Sequence, residues 1–96
     1  MTKLQEIPQV VQVRILPSSL LEILFHNGEK GYLQLSQHLA FTGYFAPLAD
    51  AEFFNQVYVD HGTLCWPKQI DLDPVVVYAW TFGIPIELAS PLTIVA

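Results

Sequence analysis

Two carboxylates, Asp71 and Asp73, stand close to a tryptophan in the stretch Cys65-Trp66-Pro67-Lys68-Gln69-Ile70-Asp71-Leu72-Asp73-Pro74. A pair of hard oxygen ligands can grip a divalent cation or a basic group at the end of a loop. Such a cation site needs further oxygen ligands, and no acidic cluster lies nearby in the sequence. Glycoside cleavage needs two acids facing each other across a cleft, a poor fit for two residues of one loop. The competing reading is structural. Asp73 caps a helix whose first residue is Pro74, and Asp71 accepts hydrogen bonds within the same loop.

The other reactive side chains are sparse. His26, His38 and His61 lack the i, i+4 spacing of a helical zinc motif. His26 and His61 flank turns, where Asp60-His61 reads as a turn pair and His26 opposite Glu29 as a cross-strand pair. Cys65 is the only cysteine, so no internal disulfide forms and no thiolate zinc site is available. Its neighbours Leu64 and Trp66 point to a buried, inert thiol rather than a nucleophile. Gly28, Gly31, Gly43, Gly62 and Gly83 are dispersed and make no phosphate-cradling loop. No catalytic set, metal site or cofactor is expected. Most aromatic rings must build the core, but Tyr44, Phe45, Trp66 and Tyr78, rimmed by Asp71, could line a groove for an apolar peptide or a small ligand.

Composition narrows the function classes. Apolar residues make up 52% of the chain and charged residues 14%, the reverse of a disordered balance. At 96 residues the chain reads as one domain. So small a domain has little interior, and its apolar excess points to a homo-oligomer, a dimer favoured, or to a small partner protein. The net charge is −5, and the four basic residues Lys3, Arg14, Lys30 and Lys68 are scattered. Direct nucleic-acid binding and attraction to anionic membranes both need clustered cations, so neither is expected. The N-terminal stretch lacks the apolar run of a signal peptide, and Pro85, Glu87 and Pro91 interrupt the apolar C-terminal stretch. The expected setting is cytosolic.

The elements that must position these residues follow from periodicity and turn chemistry. Residues 1–8 read as a loose arm. Residues 9–16 alternate, with Val11, Val13 and Ile15 on one face, and predict a half-buried strand. Pro17-Ser18-Ser19 makes a turn into a second strand over residues 20–25. Asn27-Gly28 predicts a two-residue hairpin turn into a strand over residues 29–35, pairing His26 with Glu29 and Phe25 with Lys30. Gly31 then falls opposite Leu24 and leaves room for something packed above it. Ser36 is expected to cap a short helix over residues 37–40, and residues 41–48 to run irregularly across the sheet. Asp50 caps one helical turn over residues 51–55. Residues 57–60 and 63–66 form a second hairpin with Gly62 at its turn. The strand ends at Pro67, and the helix capped by Asp73 stops near Gly83. Residues 84–96 read as an extended tail, with residues 92–95 able to join a sheet edge. Antiparallel hairpins with segregated helices make an α+β domain.

These landmarks form a familiar set. Phe25-His26-Asn27-Gly28-Glu29, Phe45-Ala46-Pro47-Leu48-Ala49-Asp50 with Phe53, residues 57–60, and Trp66-Pro67 followed by Asp71-Leu72-Asp73-Pro74 and Tyr78 resemble the domain-of-unknown-function 2442 family. The resemblance spans about Val10 to Tyr78. The family has Asn-Gly or Gly-Gly after Trp-Pro, where this chain has Lys68-Gln69. The resemblance implies a small α+β fold in a bacterial cytosol and no known activity. Some relatives carry a helix-turn-helix domain, and others look like halves of two-gene modules with a small partner protein. The expectation for this chain is a non-enzymatic interaction module that self-associates or binds a partner. The other expectation is a ligand-binding domain with its pocket near Trp66, Asp71 and Tyr78.

Overall fold

The computed structural model describes residues 8–84. The expected strand at 92–95 and the arm before residue 8 lie outside them. Two three-stranded antiparallel sheets carry the fold. Sheet A consists of β1 (Val10–Leu16), β2 (Leu20–Phe25) and β3 (Lys30–Leu33), in that order. Sheet B consists of β4 (Tyr58–Asp60), β5 (Thr63–Trp66) and β6 (Ile70–Asp71). Two helices complete the frame, α1 (Ala51–Phe54) and α2 (Pro74–Phe82). The α+β architecture expected from the sequence is the one observed, with the hairpins divided between two sheets.

The first hairpin departs from its expected register by one residue. Leu24 pairs with Lys30, Ile23 with Gly31 and Glu22 with Tyr32. A two-residue turn would hold both Asn27 and Gly28 at positive φ. Only Gly28 is there, at φ 93°. Instead Gly28 N–H donates to Phe25 O at 2.9 Å, and Asn27 Oδ1 accepts from Glu29 N–H at 3.0 Å. The loop therefore holds three residues, and His26 does not face Glu29. His26 Nδ1 accepts from Gln9 N–H at 3.1 Å.

Other local expectations also shift. A bulge between Val10 and Gln12 turns Val10 inward and leaves Val11 50% exposed, so Val11 does not share the buried face. Ser36 caps nothing: it lies inside a 3-10 turn over Leu35–Gln37 that begins after Gln34. Residues Gly43–Ala49, expected to be irregular, form 3-10 turns. Strand β3 ends at Leu33, before the predicted 35. Strand β6 has no sequence signal beyond Ile70, because two residues are too few to show a period.

The caps of α1 and α2 lie where the sequence predicts them. Asp50 Oδ1 accepts from Glu52 N–H at 3.1 Å, and Asp73 Oδ1 accepts from Val75 N–H at 2.7 Å. Gly83, left-handed at φ 70°, ends α2. The core collects Leu21, Ile23, Phe25 and Leu33 from sheet A, Leu64, Trp66 and Ile70 from sheet B, and Val77 from α2. Helix α2 touches both β3 and β5, so it spans the two sheets. Room is left for it by Gly31, where a Cβ would clash with Thr81 Cγ2 and lie 3.0 Å from Phe82 Cε1. The space expected above Gly31 is real, and α2 fills it.

Candidate functional site

The Trp66–Asp73 stretch is a tight hairpin rather than an open loop. Trp66 pairs with Ile70 and Cys65 with Asp71. Pro67, Lys68 and Gln69 make the connection, with Lys68 at φ 69° and Gln69 at φ 64°. Left-handed backbone costs a non-glycine residue about 1–2 kcal/mol, so something must hold these two in place. Tyr44 does so from outside. Its hydroxyl donates to Gln69 O at 2.6 Å and accepts from Asp71 N–H at 3.4 Å. Tyr44 in turn packs edge-on against Phe45, with ring centroids 4.7 Å apart. Lys68 Nζ lies 6.0 Å from the Phe53 ring centroid, within the outer range of a cation–π contact.

Three of the six candidate residues thus meet on one surface: Tyr44, Phe45 and Asp71. Tyr44 and Asp71 are exposed and Phe45 is half-buried. Trp66 is fully buried, with its indole N–H donating to Phe54 O at 2.9 Å. A sealed ring cannot touch a ligand on this surface. Asp73 is committed to its helix cap. Tyr78 faces elsewhere. It packs against Phe25 at 5.2 Å and Phe82 at 5.0 Å, and its hydroxyl donates to Glu29 Oε1 at 2.8 Å. Glu29 also accepts from Asn27 Nδ2, and these bonds, Asn27 first, hold its carboxyl below the usual carboxylate range. The same Glu29 raises the Tyr78 phenol above its usual value.

Cys65 is buried, and its thiol lies 3.7 Å from Asp60 O. Desolvation, then the charges of Asp71 and Asp60, push the thiol pKa up. That is the opposite of what nucleophilic catalysis requires. The histidines are exposed. His61 Nδ1 lies 3.0 Å from Asp60 Oδ2 at the turn, as their adjacency suggests, and His38 stacks on Trp80 at 5.1 Å. Among the described residues, no three His, Cys, Asp or Glu side chains are placed to hold a metal ion. Nor is any described helix long and apolar enough to cross a membrane.

A second region carries no motif that marks it in the sequence. A depression of about 200 Å³ opens on the outer face of sheet A, lined by Gln12, Arg14, Glu22, Leu24 and Lys30. Glu22 sits at its centre, its side chain 12% exposed. Arg14 Nε donates to Oε1 at 2.7 Å, the Tyr32 hydroxyl donates to Oε2 at 3.2 Å, and Lys30 Nζ stands 4.0 Å away. The Arg14 hydrogen bond leads in holding the Glu22 carboxyl below its usual range. Two cations around one anion leave this patch net positive on a chain of net charge −5. The alternation of β1, β2 and β3 puts these residues on one face, but only the observed register brings Tyr32 opposite Glu22.

Neither the curated proteins nor the solved structures give a match. The family model described as "Protein of unknown function (DUF2442)" matches residues 10–83, which spans both sheets and α2. The match covers most of the chain, and the chain belongs to that family.

Proposed function

We propose that the chain is a non-enzymatic interaction module that docks a second protein chain, a further copy of itself or a small partner, through sheet A. One observation carries this reading. The outer face of sheet A is uncovered among the described residues, with Tyr32 about half exposed beside the Arg14–Glu22–Lys30 patch. Large side chains held at such exposure on a sheet face are surface that a partner can remove from water. The side chains with chemical capacity have structural employment instead: Asp73 caps, Cys65 and Trp66 are buried, and Tyr78 is bound to Glu29. A cytosolic setting suits the single reduced cysteine.

The test is the mass of the purified protein in solution, read beside a tagged capture from the native host. A mass above the 10.8 kDa of one chain, or one stoichiometric partner, supports the module. A monomer that captures nothing overturns it.

A further inference from the structure

Among the described residues, strand β3 is an edge strand of sheet A. The register decides which of its main-chain groups are left over. Phe25 N–H donates to Glu29 O at 2.8 Å, so that pair is hydrogen-bonded. Bonded and non-bonded pairs alternate along an antiparallel ladder. Gly31 and Leu33 therefore bond to β2, while Lys30 and Tyr32 turn their N–H and C=O outward. No described backbone group takes up those two donors and two acceptors. A sheet edge in this state templates another strand unless the chain blocks it.

The side chains beside the edge say what it admits. On the outer face, Lys30 is about half exposed and reaches Glu22 only at 4.0 Å. A lysine there repels a cation placed opposite and favours a carboxylate. On the inner face, Phe82 closes over Gly31 and offers an apolar wall. A second copy of β3 fits poorly in the register that sets Gly31 against its symmetry mate. Each Gly31 carries an α2 above it, and neighbouring strands lie about 4.8 Å apart, whereas packed helices need about 8–10 Å.

Building on the interaction reading above, we propose that the edge of β3 left unpaired among the described residues is the docking site. Its occupant is an extended segment of a partner protein, with an Asp or Glu opposite Lys30 and an apolar residue facing Phe82. The segment adds as a fourth strand to sheet A.

The probe is the blocked peptide Ac-Thr-Val-Glu-Val-Thr-NH2, with Ac-Thr-Val-Lys-Val-Thr-NH2 as its control, added to the 15N-labelled full chain. Amides of Lys30 and Tyr32 should exchange rapidly in the dilute free protein and slow when the glutamate peptide is present. The lysine peptide should bind about tenfold more weakly, and Lys30→Glu should reverse that preference. Tyr32→Pro leaves the β2 ladder intact, because the lost N–H points outward, and should abolish binding. Preserved chemical-shift dispersion checks that both variants fold. Lys30 and Tyr32 amides already protected in the free monomer, or no binding by the glutamate peptide, would overturn the edge. A partner protein held equally well by Tyr32→Pro and the natural chain would also overturn the edge, while leaving the interaction reading standing.

Discussion

The hydroxyl of Tyr44 donates to the carbonyl oxygen of Gln69 at 2.6 Å, across 25 residues of chain. This bond ties the 3-10 segment Gly43–Ala49 to a turn in which Lys68 and Gln69 are both left-handed. It is a side-chain hydrogen-bond clamp on the left-handed turn of the Trp66–Asp73 stretch.

Opposite stability changes should follow at its two ends. Tyr44→Phe removes the clamp and should cost about 1 kcal/mol. Gln69→Gly relieves about 1–2 kcal/mol of backbone strain while adding about 0.5–1 kcal/mol of unfolded-chain entropy, so it should stabilise by about 0.5 kcal/mol. Urea unfolding with an unchanged slope measures both. A stabilised Tyr44→Phe would show that the clamp does not hold the turn.

Gly31 and Thr81 should behave as a coupled pair. A Cβ on Gly31 would clash with Thr81 Cγ2, and Thr81 cannot turn away freely because its hydroxyl donates to Val77 O at 2.7 Å. Gly31→Ala should therefore cost about 1–3 kcal/mol, and Thr81→Ala in the same chain should recover part of it. Purely additive losses in a double-mutant cycle would place the strain elsewhere.

Acid should weaken the fold through Glu22 and Glu29. Both carboxyls are held below their ordinary value of 4.5, Glu22 chiefly by Arg14 and Glu29 chiefly by Asn27. A depressed folded pKa stabilises above the unfolded pKa, and that contribution disappears as pH falls through the folded one. Thermal midpoints should thus decline below about pH 4.5. The decline should be smaller in the Glu22→Gln, Glu29→Gln double variant, and an identical acid profile there would assign it to other groups.

Cys65 should resist alkylation in the native protein. It is buried and its thiol pKa is raised, so little thiolate is present near neutral pH. Iodoacetamide at pH 8 should label it at least tenfold more slowly than the urea-unfolded chain. Equal rates would mean that the second hairpin opens readily.

Residues whose information is local are legible in the sequence by itself. Asp50 and Asp73 cap helices because a carboxylate next to free N–H groups needs no distant partner. Gly83 stops α2, and Gly62 turns the second hairpin together with His61, because positive φ is a single-residue property. Alternation identifies β1, and the α+β class follows from hairpins flanked by helices. Local signals fail where neighbours compete. Asn27-Gly28 suits a two-residue turn, but the Asn27 side chain bonding Glu29 N–H favours the three-residue one, and that shifts every pair in the β2–β3 ladder.

The candidate surfaces needed the tertiary fold. Tyr44 meets Gln69 only because the segment after Phe41 crosses to sheet B, a contact that no spacing encodes. Trp66 and Tyr78 share a sequence neighbourhood with Asp71, yet burial takes one and the Phe25–Phe82 cluster takes the other. The outward-facing backbone groups of Lys30 and Tyr32 depend on sheet order and register together. Register is set by a turn a few residues long, whereas sheet order is set by which strands find a hydrophobic face to share.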